Sequence, residues 1–218
     1  MYGLLTAAAL SISANKDEIE ENSSAAIRLA LEIEAYVDLD RFTNETGRVV
    51  AYSLQDNGAN NIEEVLKTFP VAYISVNLNH NIVTITAHTK RLPALCSSGA
   101  ARDIRAMMID INGRCHTLHN TQALREILEM CNSSSPLRFM NDSNTLAPLQ
   151  SNTTGQLLDS SVALAEACLR CIMTETAAWH TVVGETMAFP DAHDATKRTV
   201  LELGTCGSLV RFYVPRDG

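Results

Sequence analysis

The sequence predicts an α+β fold, an antiparallel sheet of about five strands covered by helices, with a long helix in the C-terminal third. Three observations carry that expectation. Residues 72–76 and 83–87 alternate apolar and polar side chains around the polar connection Asn77 to Asn81, the period-two pattern of a hairpin. Ile111-Asn112-Gly113-Arg114 carries the Asn-Gly pair that favours a two-residue hairpin turn. Residues 16–37 and 157–181 place apolar side chains at three- and four-residue spacing, the mark of amphipathic helices.

Taken in order, the first fourteen residues are apolar and uncharged. They lack the basic start of a signal peptide and are too few to span a bilayer. They are expected to form a buried strand or helix, or an arm that packs on a neighbouring subunit through Tyr2, Leu4 and Leu5. Asp17, Glu18, Glu20 and Glu21 then load the start of the next segment with the charge that suits a helix N-terminus, and Leu29, Ile33 and Val37 lie on one stripe. Arg48 to Leu54 reads as a strand ended by Asp56-Asn57-Gly58, and Asn61 to Thr68 as a short helix.

In the first hairpin, Ala72, Ile74, Val76, Val83, Ile85 and Ala87 form a greasy face. The helix ending at Val37 is the nearest cover for it. Ala100 to Met108 reads as helical before a strand at Ile109. If Asn112-Gly113 is a turn, Asp110 pairs with Cys115 and Ile109 with His116. Thr121 caps a helix from Gln122 to Cys131. After the periodic run 157–181, residues 191–203 read as a helix and Leu209 to Val214 as a closing strand.

This gives a sheet domain with an apolar arm over residues 1–131, a polar loop or linker over 132–156, and a helical cover with a terminal strand over 157–218, which can belong to the same domain. The loop is long for a compact domain, and Leu137, Phe139 and Met140 suggest that it docks on the chain itself or on a partner.

A net charge of −8 repels phosphate backbones, so nucleic acid is disfavoured as a partner, and no stretch is long enough for a transmembrane span. Of the six cysteines, Cys168 and Cys171 sit in a strongly helical stretch, and a chain of 218 residues does not need disulfides, which favours an intracellular, reducing setting over a secreted one. Five Asn-x-Ser/Thr sequons begin at Asn22, Asn44, Asn132, Asn141 and Asn152.

The densest group of reactive side chains is Cys115-His116-Thr117-Leu118-His119. With Cys131 it offers the residue types of a zinc site, and zinc is the one cofactor the sequence raises. On a strand, however, Cys115 and His116 point to opposite faces, so a half-buried Cys and two surface histidines is the plainer reading, and no cofactor is expected. Cys168-x-x-Cys171 matches a redox dithiol but lies within a helical pattern, where core packing explains it. Trp179-His180, Glu185, Asp191, His193 and Asp194 supply acids and imidazoles without a defined spacing.

No phosphate loop, dinucleotide fingerprint, His-Glu-x-x-His or Gly-x-Ser-x-Gly elbow is present. The reading therefore leans away from an enzyme. It favours a non-enzymatic assembly protein, viral or cellular, acting through self-association or protein partners, with a metal- or ligand-binding protein built on Cys115, His116 and His119 as the alternative.

Overall fold

The structure, a computed structural model, describes residues 3–38, 49–56, 62–69, 72–79, 81–88, 94, 104–112, 114–140, 145–158 and 162–188. Its elements are α1 (Gly3–Ser11), α2 (Lys16–Asp38), β1 (Val49–Asp56), α3 (Ile62–Lys67), β2 (Tyr73–Asn77), β3 (Ile82–His88), β4 (Ile104–Asn112), α4 (Thr121–Ser133), α5 (Leu164–Met173), β5 (Ala177–Ala178) and α6 (Trp179–Ala188). Single 3₁₀ turns at Leu118–Asn120 and Ser135–Leu137 flank α4. The helix and strand expected at 191–203 and 209–214 lie outside the described residues.

The arm at the N-terminus is a helix of the chain's own core. In α1, Ala and Leu supply high helix propensity, and Leu5, Ala8, Ala9 and Ser11 are buried where their small side chains let α2 approach. At the start of α2, Asn15 Oδ1 accepts from Glu18 N (3.0 Å) while the Glu18 carboxylate accepts from Ala14 N (2.8 Å), a reciprocal cap that satisfies two orphan amides. One turn later Asn22 is fully buried. Its Nδ2 donates to Ser13 Oγ (2.9 Å), and its Oδ1 accepts from Met140 N (2.7 Å), which ties the segment after α4 to α2. A glycan on this sequon is incompatible with the folded chain.

The strand order is β4-β1-β3-β2-β5. The α+β expectation holds, but the sheet is not purely antiparallel: Val76 and Asn77 of β2 pair in parallel with Ala177 and Ala178 of β5. The first hairpin forms with Ile74 opposite Ile85, but a register shift between Ile74 and Val76 sets Val76 opposite Thr84, so Val76 leaves the greasy face on which it was expected and lines the cavity beside Ser75. Its greasy face is covered by α3 and not by α2. Ile62, Leu66, Ala72, Val83, Ile85 and Ala87 form one cluster, while Leu29, Ile33 and Val37 of α2 join a second, larger cluster with α1, α4 and α5. The polar face is covered too, since Ser75, Thr84 and Thr86 are all buried.

Two expectations fail for physical reasons. Residues 104–112, read partly as helix, are the strand β4, which pairs with β1 from Asp56–Ile104 to Val50–Asn112. The long-range ladder overrides the local propensity of Ala106, Met107 and Met108. Asn112 is then the last residue of that strand, and the chain does not return along it. Arg114 to Thr117 run instead to the end of α5, so the second hairpin, with its Asp110–Cys115 and Ile109–His116 pairs, is absent.

The long C-terminal helix is likewise two shorter ones. After Met173 the N–H groups of Thr174 and Glu175 both close on Arg170 O, and Thr176 Oγ1 donates to Ile74 O (3.4 Å). The next two residues then join β2 as β5. β-Branched Thr174 and Thr176 resist helix continuation, and the free edge of β2 offers a better partner.

Residues 145–158 form an ordered strap and not an open loop. Gln150 and Leu157 bridge antiparallel, Ser151 N donates to Gln156 O (2.8 Å), and Asn152 O accepts from Ala178 N (2.8 Å). Gly155 makes the turn with φ +71°, and a Cβ there would lie 2.8 Å from Glu185 Cγ and 3.0 Å from Thr181 O of α6. Gly155→Ala is therefore expected to destabilise the chain by about 1–3 kcal/mol, from the left-handed backbone and the clash together. Urea unfolding reads this, and adding Glu185→Ala should recover only the part due to the Glu185 Cγ contact, since the Glu185 Cβ at 2.9 Å and Thr181 O stay in place.

Candidate functional site

The sequence-predicted metal cluster does not converge. Cys115 and His116 are buried, His119 is exposed, and Cys131 faces the helical core from α4. Among the described residues no group of three His, Cys, Asp or Glu side chains is placed to hold a metal ion. The interface candidates disperse as well. Leu5, Leu137 and Phe139 are buried in the chain's own core, Leu4 packs against it, Met140 is exposed, and Tyr2 lies outside the described residues.

What the structure builds at this place is an anchored imidazole. The last turn of α5 ends with unpaired carbonyls, as every helix does, and the segment after β4 satisfies them. His116 N donates to Ile172 O (3.0 Å) and Thr117 N to Met173 O (2.9 Å). The His116 ring completes the cap, with Nδ1 at 3.0 Å from Cys171 O and 2.8 Å from Glu175 O. Carbonyl oxygens only accept, so Nδ1 carries the proton and Nε2 is the nitrogen with a free lone pair. Tyr73 Oη donates to Cys115 O (2.9 Å), pinning the same segment to the sheet.

To reach this arrangement His116 takes φ +60°, a left-handed conformation that costs a non-glycine residue about 1–3 kcal/mol. Burial pushes the His116 pKa below its usual value, partly opposed by the two carbonyls. The ring is thus a neutral base near pH 7. The carbonyl end of α5, where the helix dipole is negative, favours the imidazolium once a proton arrives.

His116 lines a cavity of about 450 Å³. One wall is the polar face of the sheet, with Ser75, Thr84 and Thr86. A second is the start of α1, with Leu4 and Ala7, and a third is the strap, with Leu149, Gln150 and Asn152. Trp179 and Val182, one turn apart on α6, close the apolar side. None of the described lining residues is Arg, Lys, Asp or Glu. Of the lining residues, Cys115 and His116 were singled out as ligands from the sequence. The rest of the lining comes from segments distant in the chain and carries no motif.

The cysteines of α5 play a different part. Cys168 and Cys171 are buried and unpaired, and burial pushes the Cys168 thiol up to about 12 and the Cys171 thiol upward as well. Thiols held protonated are inert, so the Cys-x-x-Cys spacing is packing and not a redox pair.

No protein-family model matches the chain. It is 38% identical over 190 residues to the non-reducing polyketide synthase spyA of Aspergillus fumigatus, covering 85% of this chain and 10% of that synthase. The chain thus spans about a tenth of the length of the curated relatives it matches. Among solved structures it resembles malonyl-CoA:acyl carrier protein transacylase from Xanthomonas oryzae pv. oryzae, with a TM-score of 0.60 at 15% identity over 86% of this chain and 55% of that one. It also resembles the acyltransferase domain from module 8 of the salinomycin polyketide synthase, with a TM-score of 0.58 at 15% identity over 84% of this chain and 38% of that one.

The fold is therefore acyltransferase-like. The sequence relatives are polyketide synthases about ten times the matched length, and this chain resembles one segment of them. Together these likenesses overturn the reading of a non-enzymatic, homo-oligomeric or viral structural protein: they point to an enzyme. They also leave the metal-binding alternative without support.

Proposed function

We propose that the His116 cavity is the base-bearing part of an acyl-transfer site. The observation that carries this reading is the buried imidazole whose Nδ1–H is spent on two backbone carbonyls, leaving Nε2 to serve a cavity. That is the geometry of a general base held in one tautomer, with carbonyls in place of an orienting carboxylate. The acyltransferase-like fold and the synthase relatives support it.

In the step proposed, Nε2 takes the proton of a thiol or hydroxyl as that atom attacks an acyl thioester. The new S–C or O–C bond forms, the tetrahedral intermediate collapses, and the departing thiolate takes the proton back from Nε2. The chain contains no Gly-x-Ser-x-Gly elbow, so the attacking group is assigned to the acceptor or to a residue outside that motif. An acyl carrier protein is the protein partner this chemistry calls for, and among the described residues no helix is long and apolar enough to cross a membrane.

The lining also selects the acyl group. Without a cation among the described lining residues, a carboxylated acyl group would bury an unpaired charge, which costs several kcal/mol. Uncharged alkanoyl groups meet Leu149, Trp179 and Val182 instead.

The test is acyl transfer from CoA thioesters to a carrier-protein thiol, catalysed by the full chain. Alkanoyl donors are expected to exceed malonyl-CoA in kcat/KM by about 100-fold or more, the equivalent of ~3 kcal/mol. A rate no higher than that of the thiol in buffer, or a preference for the carboxylated donor, would overturn the reading.

A further inference from the structure

We propose that Asn120 is the positioning residue for the His116 base, acting as a clip between the two backbone segments that hold the imidazole. This rests on the reading of His116 as the base. Asn120 closes the 3₁₀ turn that follows Thr117, and its Nδ2 donates both to Arg114 O and to Met173 O (3.0 Å). Arg114 lies two residues before His116. Met173 is the last residue of α5 and follows Ile172, whose carbonyl accepts the His116 N–H. Its own N–H donates to Thr117 O (3.0 Å), so the residue that supplies the clip is itself fixed to the same loop.

The physical need for such a clip comes from the backbone. Residues 114–117 belong to no helix or strand, and His116 sits at φ +60°, a left-handed conformation that is unfavourable for a non-glycine residue. Left to itself the loop would relax to negative φ and swing the ring away from Cys171 O and Glu175 O. One carboxamide nitrogen has two hydrogens, and here each meets a carbonyl on a different side of the loop. A carboxylate of the same shape has none, and would set its oxygens against both carbonyls. Asn120 is not among the cavity-lining residues, so it acts on the reaction only through His116.

The predicted signature is spectroscopic as well as kinetic. In the full chain with ¹⁵N-labelled histidine, the neutral His116 ring is expected to show a protonated Nδ1. Asn120→Leu and Asn120→Asp should shift it towards the tautomer mixture of a free imidazole, with the His88 and His180 signals unmoved as a control on the fold. Asn120→Ser keeps one donor and should fall between, and it gives the same readout if either other variant fails to fold.

In the acyl-transfer assay kcat should fall by about 10- to 100-fold with KM unchanged, the pattern of a misplaced base and not of a lost binding contact. An unshifted Nδ1–H signal in the variants would overturn the proposal. If the tautomer shifts but the unsubstituted chain transfers no acyl group, the clip stands as the device that orients His116, and the base reading is what fails.

Discussion

His116→Gln is expected to slow acyl transfer by about 10²- to 10⁴-fold while leaving KM for the acyl donor nearly unchanged. Glutamine fills similar space and keeps a donor that can reach Cys171 O or Glu175 O, so the cap on α5 survives, but it offers no nitrogen lone pair of useful basicity. The pH profile of the unsubstituted chain carries a second check. The base must be neutral to work, and burial lowers its pKa from the ordinary 6.5, so activity should persist below that value and fall only as pH drops through the lower one. The same shift works on stability: the unfolded chain takes up this proton first as pH falls, so the group's contribution is full above pH 6.5 and erodes on acidification. An acid limb centred above 6.5, or an undiminished rate in the glutamine variant, would contradict the assignment.

Ile172→Ala is expected to cost about 2–5 kcal/mol of stability, read by urea or thermal unfolding. Ile172 is fully buried in the cluster that joins α5 to α1, α2 and α4, alongside Leu169 and Met173. Truncation opens a cavity in the centre of that cluster while leaving the Ile172 carbonyl in place. Leu31→Ala makes the control: Leu31 is 65% exposed on α2, and its loss should shift stability by less than about 0.5 kcal/mol. If the two variants melt together, α5 is not the centre of the core.

How much of this was legible from residues alone depends on the range of the forces involved. Helix α2 and the β2–β3 hairpin were readable because their caps, turns and periodicities are local. The break after Met173 was not, since the apolar spacing runs through Thr174-Glu175-Thr176 without Gly or Pro, and only the edge of β2, a hundred residues earlier in the chain, makes a strand there worthwhile. The Asn112-Gly113 pair misled for the opposite reason. Its local preference for a hairpin is real, but the carbonyls of Cys171, Ile172 and Met173 at the end of α5, with that of Glu175 just beyond it, compete for the chain that would have formed the return strand.

Cys115-His116-x-x-His119 was correctly marked as chemically dense, yet its residues were grouped by proximity in the chain. The fold keeps the imidazole of His116 for the cavity and leaves His119 in water. The cavity itself had no signature at all. It joins α1, the sheet, the strap and α6 through ordinary Leu, Thr, Gln and Trp side chains, and nothing in such residues says in advance that they will face one another.

The imidazole is steered by peptide oxygens, and every amino acid has one. Cys171 and Glu175 therefore orient it through their backbones, and a change of side chain at the half-buried Glu175 would leave the orienting oxygen in place. The constraint that does persist is one of shape: a helix must stop at this spot, with its last oxygens turned towards the neighbouring loop.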